Sequence, residues 1–147
     1  MRVMAVDYGD VRTGLAVSDI TGSLVGEAFV VKEVSVGKLT DVIAAEAAAR
    51  GVECLAVGLP KNMDGTRGER AQKSERLAEI LRVKTALPVF LWDERRTTAE
   101  AQRILHTAGR SGRRGRAKLD AVAAALILEG FLLSRRFVPP PEETARP

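Results

Sequence analysis

The chain has 147 residues, of which 46% are hydrophobic and 29% charged, and it carries a net charge of +4. This composition is typical of a globular domain and excludes a disordered or collagen-like chain, and the length suits one domain with a full core. No apolar run approaches the roughly 20 residues that a membrane-spanning helix needs. The start of the chain shows no signal-peptide pattern. The single cysteine, Cys54, excludes an internal disulfide, so we expect a cytoplasmic protein.

The first third of the chain predicts three short strands in succession. Residues 2–6 are apolar enough for a buried strand, residues 12–18 alternate in character, and residues 26–34 follow as a third strand. The short connections between them favour an antiparallel meander. Asp7 stands where the first apolar run ends, and a carboxylate there costs free energy unless water, hydrogen bonds or a cation compensates it. Asp7 is therefore the first candidate site residue.

The rest of the chain alternates between predicted helices and apolar strands. Capping boxes, Thr66 with Glu69 and Thr97 with Glu100, are expected to begin the second and third helices. The elements are a helix at 38–51, a strand at 52–58, a helix at 66–84, a strand at 87–92, a helix at 97–106 and a helix at 119–133. This order predicts one α/β domain over residues 1–137 and a disordered tail at 138–147. The sheet should be mixed, with three antiparallel strands, two parallel strands and flanking helices.

Acidic residues stand at several positions where a shared site forms in such sheets. Asp7 ends the first strand, and Asp93 and Glu94 directly follow the last strand. Sites in open α/β sheets lie beyond the C-terminal ends of the parallel strands. Asp120 shares a helical face with apolar residues three, four and seven positions later, which turns it toward the protein body. Asp120 also fits as the N-cap of the last helix, and both interpretations remain open.

If Asp7, Glu94 and Asp120 converge, their ligand set consists of carboxylates alone. Hard oxygen ligands without a His or Cys cluster favour Mg²⁺ or Mn²⁺ over zinc. The only histidine, His106, falls in a polar helix, and the buried Cys54 is a poor candidate nucleophile. We therefore predict metal-assisted phosphodiester hydrolysis with a two-ion site.

The segment at 109–118, "GRSGRRGRAK", is strongly basic and is predicted to be a loop. It holds four arginines and one lysine with no acid, and three glycines interrupt it. Such a composition is typical of a loop that contacts the phosphate backbone of a nucleic acid. Arg113, Arg114 and Lys118 are the candidate contacts, and a plain solvated loop is the alternative.

Four blocks of this sequence resemble the YqgF/RuvX family, in the same order and at comparable separations. They are "DYGDVRTGLAVSD", "GLPKNMDGTRG", "DERRTT" and "KLDAVAAALIL", and the resemblance spans residues 2–133. The family consists of bacterial RNase H-fold proteins described as Holliday-junction resolvases and as nucleases that mature the small-subunit ribosomal RNA precursor. The resemblance implies a ribonuclease-H-like sheet with a metal-binding catalytic site at Asp7, Glu94 and Asp120. Glu94 is preferred over Asp93 as the ligand because adjacent strand residues point to opposite faces.

The resemblance also implies residues that contact the substrate. Arg12 would support the acidic site or meet a phosphate, and a surface salt bridge is the alternative. Lys61 and Asn62 follow a strand end in a glycine-flanked loop, where ordinary turn chemistry is the alternative. Arg95 would grip a phosphate or pair with Asp93.

The implied partner is a nucleic acid, either an RNA precursor in ribosome assembly intermediates or a DNA junction. Symmetric cleavage of a junction would favour a homodimer, whereas RNA trimming needs only a monomer. Two rival functions are retained. An actin/hexokinase-like nucleotide-binding protein shares the Asp-x-Gly opening, but a second phosphate loop is missing from this chain. A non-catalytic nucleic-acid-binding or assembly module would hold three unneutralised acids against a polyanion.

Overall fold

The computed structural model describes residues 1–96 and 112–137, with side chains described at 1–96 and 119–135. The elements follow one another in the predicted order, and each lies within a few residues of its predicted range, apart from the start of the last helix. They are β1 (Val3–Asp7), β2 (Arg12–Ser18), β3 (Val25–Lys32), α1 (Val36–Ala49), β4 (Cys54–Leu59), α2 (Glu69–Thr85), β5 (Val89–Asp93), a 3-10 turn (Glu94–Arg96) and α3 (Gly112–Phe137).

The strands form one mixed sheet in the order β3-β2-β1-β4-β5. β1 pairs with β2 and β2 with β3 in antiparallel orientation, whereas β4 runs parallel to both β1 and β5. The predicted fold class is therefore confirmed. Because β1 is the central strand, its C-terminal end lies between the ends of two neighbours, and residues that follow these strands meet there.

The sheet separates two hydrophobic cores, and alternate residues of each strand serve one or the other. On one face, α1 and α2 cover Met4 and Val6 of β1. On the other face, α3 covers Val3 and Ala5 of the same strand. The α3 face is rich in alanine, so this helix lies close to the sheet. Among the described residues, no helix has the length and apolarity to cross a membrane.

The predicted capping box at the start of α2 is wrong. α2 begins at Glu69, and its N-cap is Gly68, which offers no side-chain cap. The Thr66 hydroxyl instead donates a hydrogen bond to Asp64 Oδ1 at 2.6 Å and accepts one from Asn62 Nδ2 at 2.9 Å. Thr66 belongs to a turn that competes with the helix for its hydroxyl.

The predicted loop at 109–118 is wrong over residues 112–118, because α3 begins at Gly112. Gly115, inside the helix, costs about 1 kcal/mol of helix stability. The arginines and lysine are good helix formers, however, and packing of the later turns anchors the helix. Asp120 is therefore not an N-cap, since the helix starts eight residues before it. The predicted helix at 97–106 with its capping box, and the predicted tail at 138–147, lie outside the described residues.

Candidate active site

Asp7 ends the central strand on the face that α3 covers. In β1, Val3 and Ala5 pack in the core beneath α3, and Asp7 follows them with the same alternation. In the sheet, Asp7 is directly opposite Gly14 of β2. On the other side, Val6 pairs with Val57 of β4, so Gly58 is level with Asp7. Asp7 is thus flanked in both neighbouring strands by a residue without a side chain.

The two flanking glycines leave the space into which the other acids reach. A Cβ atom at Gly14 would lie 2.1 Å from the backbone oxygen of Asp120, so α3 rests directly on β2 there. A Cβ atom at Gly58 would lie 2.7 Å from Glu94 Oε1 and 2.7 Å from Ile127 Cδ1. Sequence reasoning missed the part played by Gly58. The available signal was a glycine inside a buried strand, which often marks a close approach.

The structure separates the two adjacent acids that follow β5. Trp92 packs in the core beneath α3, and the Glu94 side chain lies over Gly58 on that same face. Asp93 instead binds Arg95, whose Nη2 donates to Asp93 Oδ2 at 2.7 Å and whose Nε lies 3.1 Å from both carboxylate oxygens. The preference for Glu94 over Asp93 in the acidic cluster agrees with this geometry, and Arg95 takes the predicted partner Asp93.

Asp7 and Glu94 form a hydrogen-bonded carboxyl pair. The pKa of Asp7 is raised to about 8, chiefly by burial and then by the charge of Glu94, the hydrogen bond between them and the charge of Asp120. Burial also raises the pKa of Glu94, while the hydrogen bond to Asp7 opposes this rise. The interaction between them therefore raises the pKa of Asp7 and lowers that of Glu94, which favours the protonated form of Asp7. Among the side chains that the structure describes, this centre holds more carboxylates than cations.

Asp120 enters the site from α3 and is held by Arg12. Arg12 Nε lies 3.3 Å from Asp120 Oδ2, and both side chains are about one-quarter exposed, at 27%. Burial raises the pKa of Asp120, and the nearby Arg12 charge opposes this rise. The charge of Asp120 in turn raises the pKa of Asp7. Asp120 is therefore close enough to the carboxyl pair to interact with it electrostatically, although its nearest counter-ion is Arg12.

Arg70 is a cation of this site that sequence reasoning missed. Its charge lowers the pKa of both Asp7 and Glu94, so Arg70 acts on the pair electrostatically. Arg70 lies in the first turn of α2, the helix that follows the parallel strand β4. The first turn of this helix faces the strand ends. Because the sequence placed the helix start at Thr66, Arg70 was not expected in that first turn.

The remaining predicted substrate contacts lie around this centre in different settings. Lys61 and Asn62 occupy the turn between β4 and α2, where the Asn62 side chain donates to Thr66. Arg113, Arg114 and Lys118 lie on the first turns of α3. Within the ranges that the structure describes, no three His, Cys, Asp or Glu side chains are grouped closely enough to hold a metal ion together.

The sheet order and the helix that lies across the ends of its central strands define an RNase H-like fold. The fold is similar to that of solved resolvase structures. The RuvC of T. thermophilus, in complex with a Holliday junction substrate, matches with a TM-score of 0.62 and 16% identity, and the match covers 94% of this chain and 97% of that one. The Fowlpox virus resolvase, in complex with Holliday junction DNA, matches with a TM-score of 0.56 and 12% identity, and the match covers 91% of this chain and 98% of that one. At these identities the likeness concerns the fold alone.

The family model described as "RuvX: Holliday junction resolvase" matches residues 1–134, and this chain belongs to that family. Two curated relatives carry the name "Putative pre-16S rRNA nuclease". The protein from Halothermothrix orenii is 40% identical over 133 residues, which is 90% of this chain and 94% of the relative. The protein from Geobacillus thermodenitrificans is 41% identical over 138 residues, which is 92% of this chain and 100% of the relative.

Proposed function

We propose that this protein is a nuclease that hydrolyses phosphodiester bonds in nucleic acid with the help of Mg²⁺ or Mn²⁺. The observation that carries the proposal is the carboxyl pair of Asp7 and Glu94, with Asp120 beside it, at the ends of the central strands. A buried carboxyl pair with a third acid beside it destabilises the fold unless cations compensate it. The family membership of the chain agrees with this chemistry.

The donor chemistry of the site suits a hard divalent cation. Asp7 and Glu94 supply carboxylate oxygens, the ligands that Mg²⁺ and Mn²⁺ prefer, and Asp120, which is paired with Arg12, would have to move closer to complete the set. A pair of such ions, when bound, activates a water molecule and stabilises the leaving oxygen of the phosphodiester. Asp7 and Glu94 would hold the ion, and the proton that they share has to leave Asp7 first, since ligating carboxylates are ionised.

The basic residues around the acids suit the negatively charged substrate. Arg12 lies at 3.3 Å from Asp120 and would meet a phosphate brought to these acids, and the charge of Arg70, which already acts on Asp7, would attract it. Arginine binds phosphate through several donors in a fixed plane, which orients the group as well as neutralising it. Lys61 and Arg95 would extend this contact along the nucleic-acid backbone on either side of the cleaved phosphodiester.

The substrate that we propose is the 5′ region of the small-subunit ribosomal RNA precursor within a ribosome assembly intermediate. The relatives that bear this function in their names are matched along nearly their whole length. A Holliday junction is the second candidate, favoured by the description of the family model. Trimming an RNA end needs one active site, so a monomer suffices for the first substrate and a dimer suits the second.

The decisive experiment compares cleavage of a 5′-extended precursor RNA and a four-way DNA junction by the purified protein, with Mg²⁺, with Mn²⁺ and with EDTA. We expect cleavage that requires metal, with the RNA cut faster. Glu94→Gln should abolish it, because a neutral amide is a weaker ligand. Asp93→Asn is the matched control and should retain cleavage, since Asp93 faces Arg95. Metal-independent cleavage, or equal loss in both variants, would contradict the proposal.

A second expectation concerns the basic start of α3. Arg113→Ala combined with Arg114→Ala should weaken substrate binding and reduce the salt dependence of the binding constant by a slope of about 1 for each phosphate that the variant no longer neutralises. Lys38→Ala combined with Lys84→Ala, on α1 and α2, is the charge-matched control. Binding titrations at several salt concentrations measure both slopes. An unchanged slope in the arginine variant would show that this segment does not touch phosphate.

A further inference from the structure

Met63 is an apolar side chain displayed at the tip of the turn between β4 and α2. It is 91% exposed, more than any other large hydrophobic side chain in the described part of the chain. A single exposed apolar residue on a protein surface needs no explanation by itself. The position of Met63 and the construction of the turn around it are what distinguish it.

The turn that carries Met63 is held on both sides by hydrogen bonds. The Asn62 N–H donates to Thr66 O at 2.9 Å, and the Gly65 N–H donates to Asn62 O at 2.9 Å. Asp64 Oδ1 accepts from the Thr66 N–H at 2.9 Å as well as from its hydroxyl. Met63 contributes to none of these bonds. The backbone is therefore ordered before any ligand arrives, which lowers the entropy cost of a contact made by Met63.

The turn is attached to the acidic site. Leu59, the last residue of β4, pairs with Asp93, and the turn begins two residues later. Arg95 Nη1 lies 3.3 Å from the position that a Cβ atom of Gly65 would occupy, so the turn also touches the segment that carries Glu94. Met63 is thus carried by a turn that adjoins the segment of Glu94, one of the acids that we assign to phosphodiester hydrolysis.

The chemistry of the turn suits a nucleotide whose base is accessible. Lys61 and Arg95 provide positive charge for the phosphate, and Met63 provides an apolar, polarisable tip for the face of a base. A base inside a regular stack does not expose its face, whereas an unpaired base or a base beside a strand discontinuity does. Apolar side chains that meet such positions wedge between bases and keep them apart.

We propose that Met63 contacts a nucleobase next to the cleaved phosphodiester and thereby directs cleavage to positions where stacking is interrupted. The inference rests on the proposed nuclease function and adds a basis for substrate selection. It applies equally to the edge of an RNA duplex and to the crossover of a DNA junction, because both offer a base face.

The test uses full-length protein and places 2-aminopurine beside the mapped cleavage position. One arm is an RNA duplex with a 5′ single-stranded extension, a second is a four-way DNA junction, and a third is a continuous duplex of equal length, whose stacked bases expose no face. Met63→Ala should reduce cleavage of the interrupted substrates about tenfold while leaving any cleavage of the continuous duplex unchanged. It should also abolish the rise in 2-aminopurine fluorescence on binding in EDTA. Met63→Leu should retain most of both effects.

Val83→Ala is the matched control, since Val83 is 84% exposed near the far end of α2 and should change neither readout. Equal cleavage of the interrupted substrates by Met63→Ala and wild type, or equal loss on interrupted and continuous substrates, would overturn the inference. If the nuclease proposal itself failed, the wild-type protein would cut no substrate. The fluorescence comparison needs binding alone and would still decide whether Met63 meets a base.

Discussion

Asp7→Asn is expected to remove metal-dependent cleavage and, without metal, to stabilise the fold at alkaline pH. The variant loses a charged ligand, so nuclease activity should fall below detection. It also removes a buried acid that interacts unfavourably with Glu94 and Asp120. Breaking a site that exists for function commonly raises stability in this way.

The pH dependence of stability gives the sign of this effect. The folded protein keeps the Asp7 proton up to about pH 8, whereas the unfolded chain loses it near its ordinary pKa of 3.8. Between these values the folded state binds more protons, so the free energy of unfolding falls as pH rises. Asn does not titrate, so the variant lacks this loss of stability. At pH 9 its free energy of unfolding should exceed that of wild type by about 1–3 kcal/mol, because Asp7 and Glu94 titrate together and share the effect.

Urea unfolding in EDTA at pH 5, 7 and 9 measures this difference, alongside cleavage assays in Mn²⁺. Asp10→Asn is the matched control, because Asp10 is an exposed acid three residues along that pairs with Lys73. It should leave both activity and the pH profile unchanged. Full cleavage by Asp7→Asn, or a pH profile identical to wild type, would contradict the role given to Asp7.

Gly14→Ala is expected to lower both stability and cleavage. Its added Cβ would meet the backbone carbonyl of Asp120 at 2.1 Å, and backbone yields less readily than the end of a flexible side chain. α3 must therefore move away from β2, at a cost of about 1–3 kcal/mol. The same movement carries Asp120 away from Asp7, so cleavage should decrease by more than the loss of folded protein explains.

Gly37→Ala provides the control for this substitution. Gly37 lies in the first turn of α1, where the nearest atom to an added Cβ is Ser35 Oγ at 3.9 Å. Alanine there should leave cleavage intact and raise stability by up to about 1 kcal/mol. Thermal unfolding and cleavage rates, compared at matched folded fractions, distinguish the two glycines. Wild-type stability in Gly14→Ala would mean that α3 does not rest on β2 at this position.

The strands and the acids at their ends were predictable because hydrophobic alternation is encoded locally. Asp7 and Glu94 each follow an apolar run, so their positions at the sheet edge could be derived without knowing the register. The start of α3 could not, because local glycine content argued for a loop while distant packing fixed a helix. The helix start predicted at Thr66 was wrong for a related reason. The Thr66 hydroxyl suits a capping box and a turn equally well in sequence, and in the structure it binds Asp64 in the turn.

Gly58 and Arg70 needed the three-dimensional arrangement. A glycine's importance here lies in what fills the space above it, and Glu94 is 36 positions away in the chain. The Arg70 charge matters only because α2 begins beside the end of β1. Contacts of such long range leave no local pattern in a single sequence.

The continuity of α3 determines where this chain tolerates changes in length. Residues 112–120 form part of one uninterrupted helix, so inserting a single residue among them would turn everything before it by about 100° and shift it by about 1.5 Å relative to Asp120. Variation among related chains should therefore appear in the first turns of α3 as substitutions alone, without insertions or deletions.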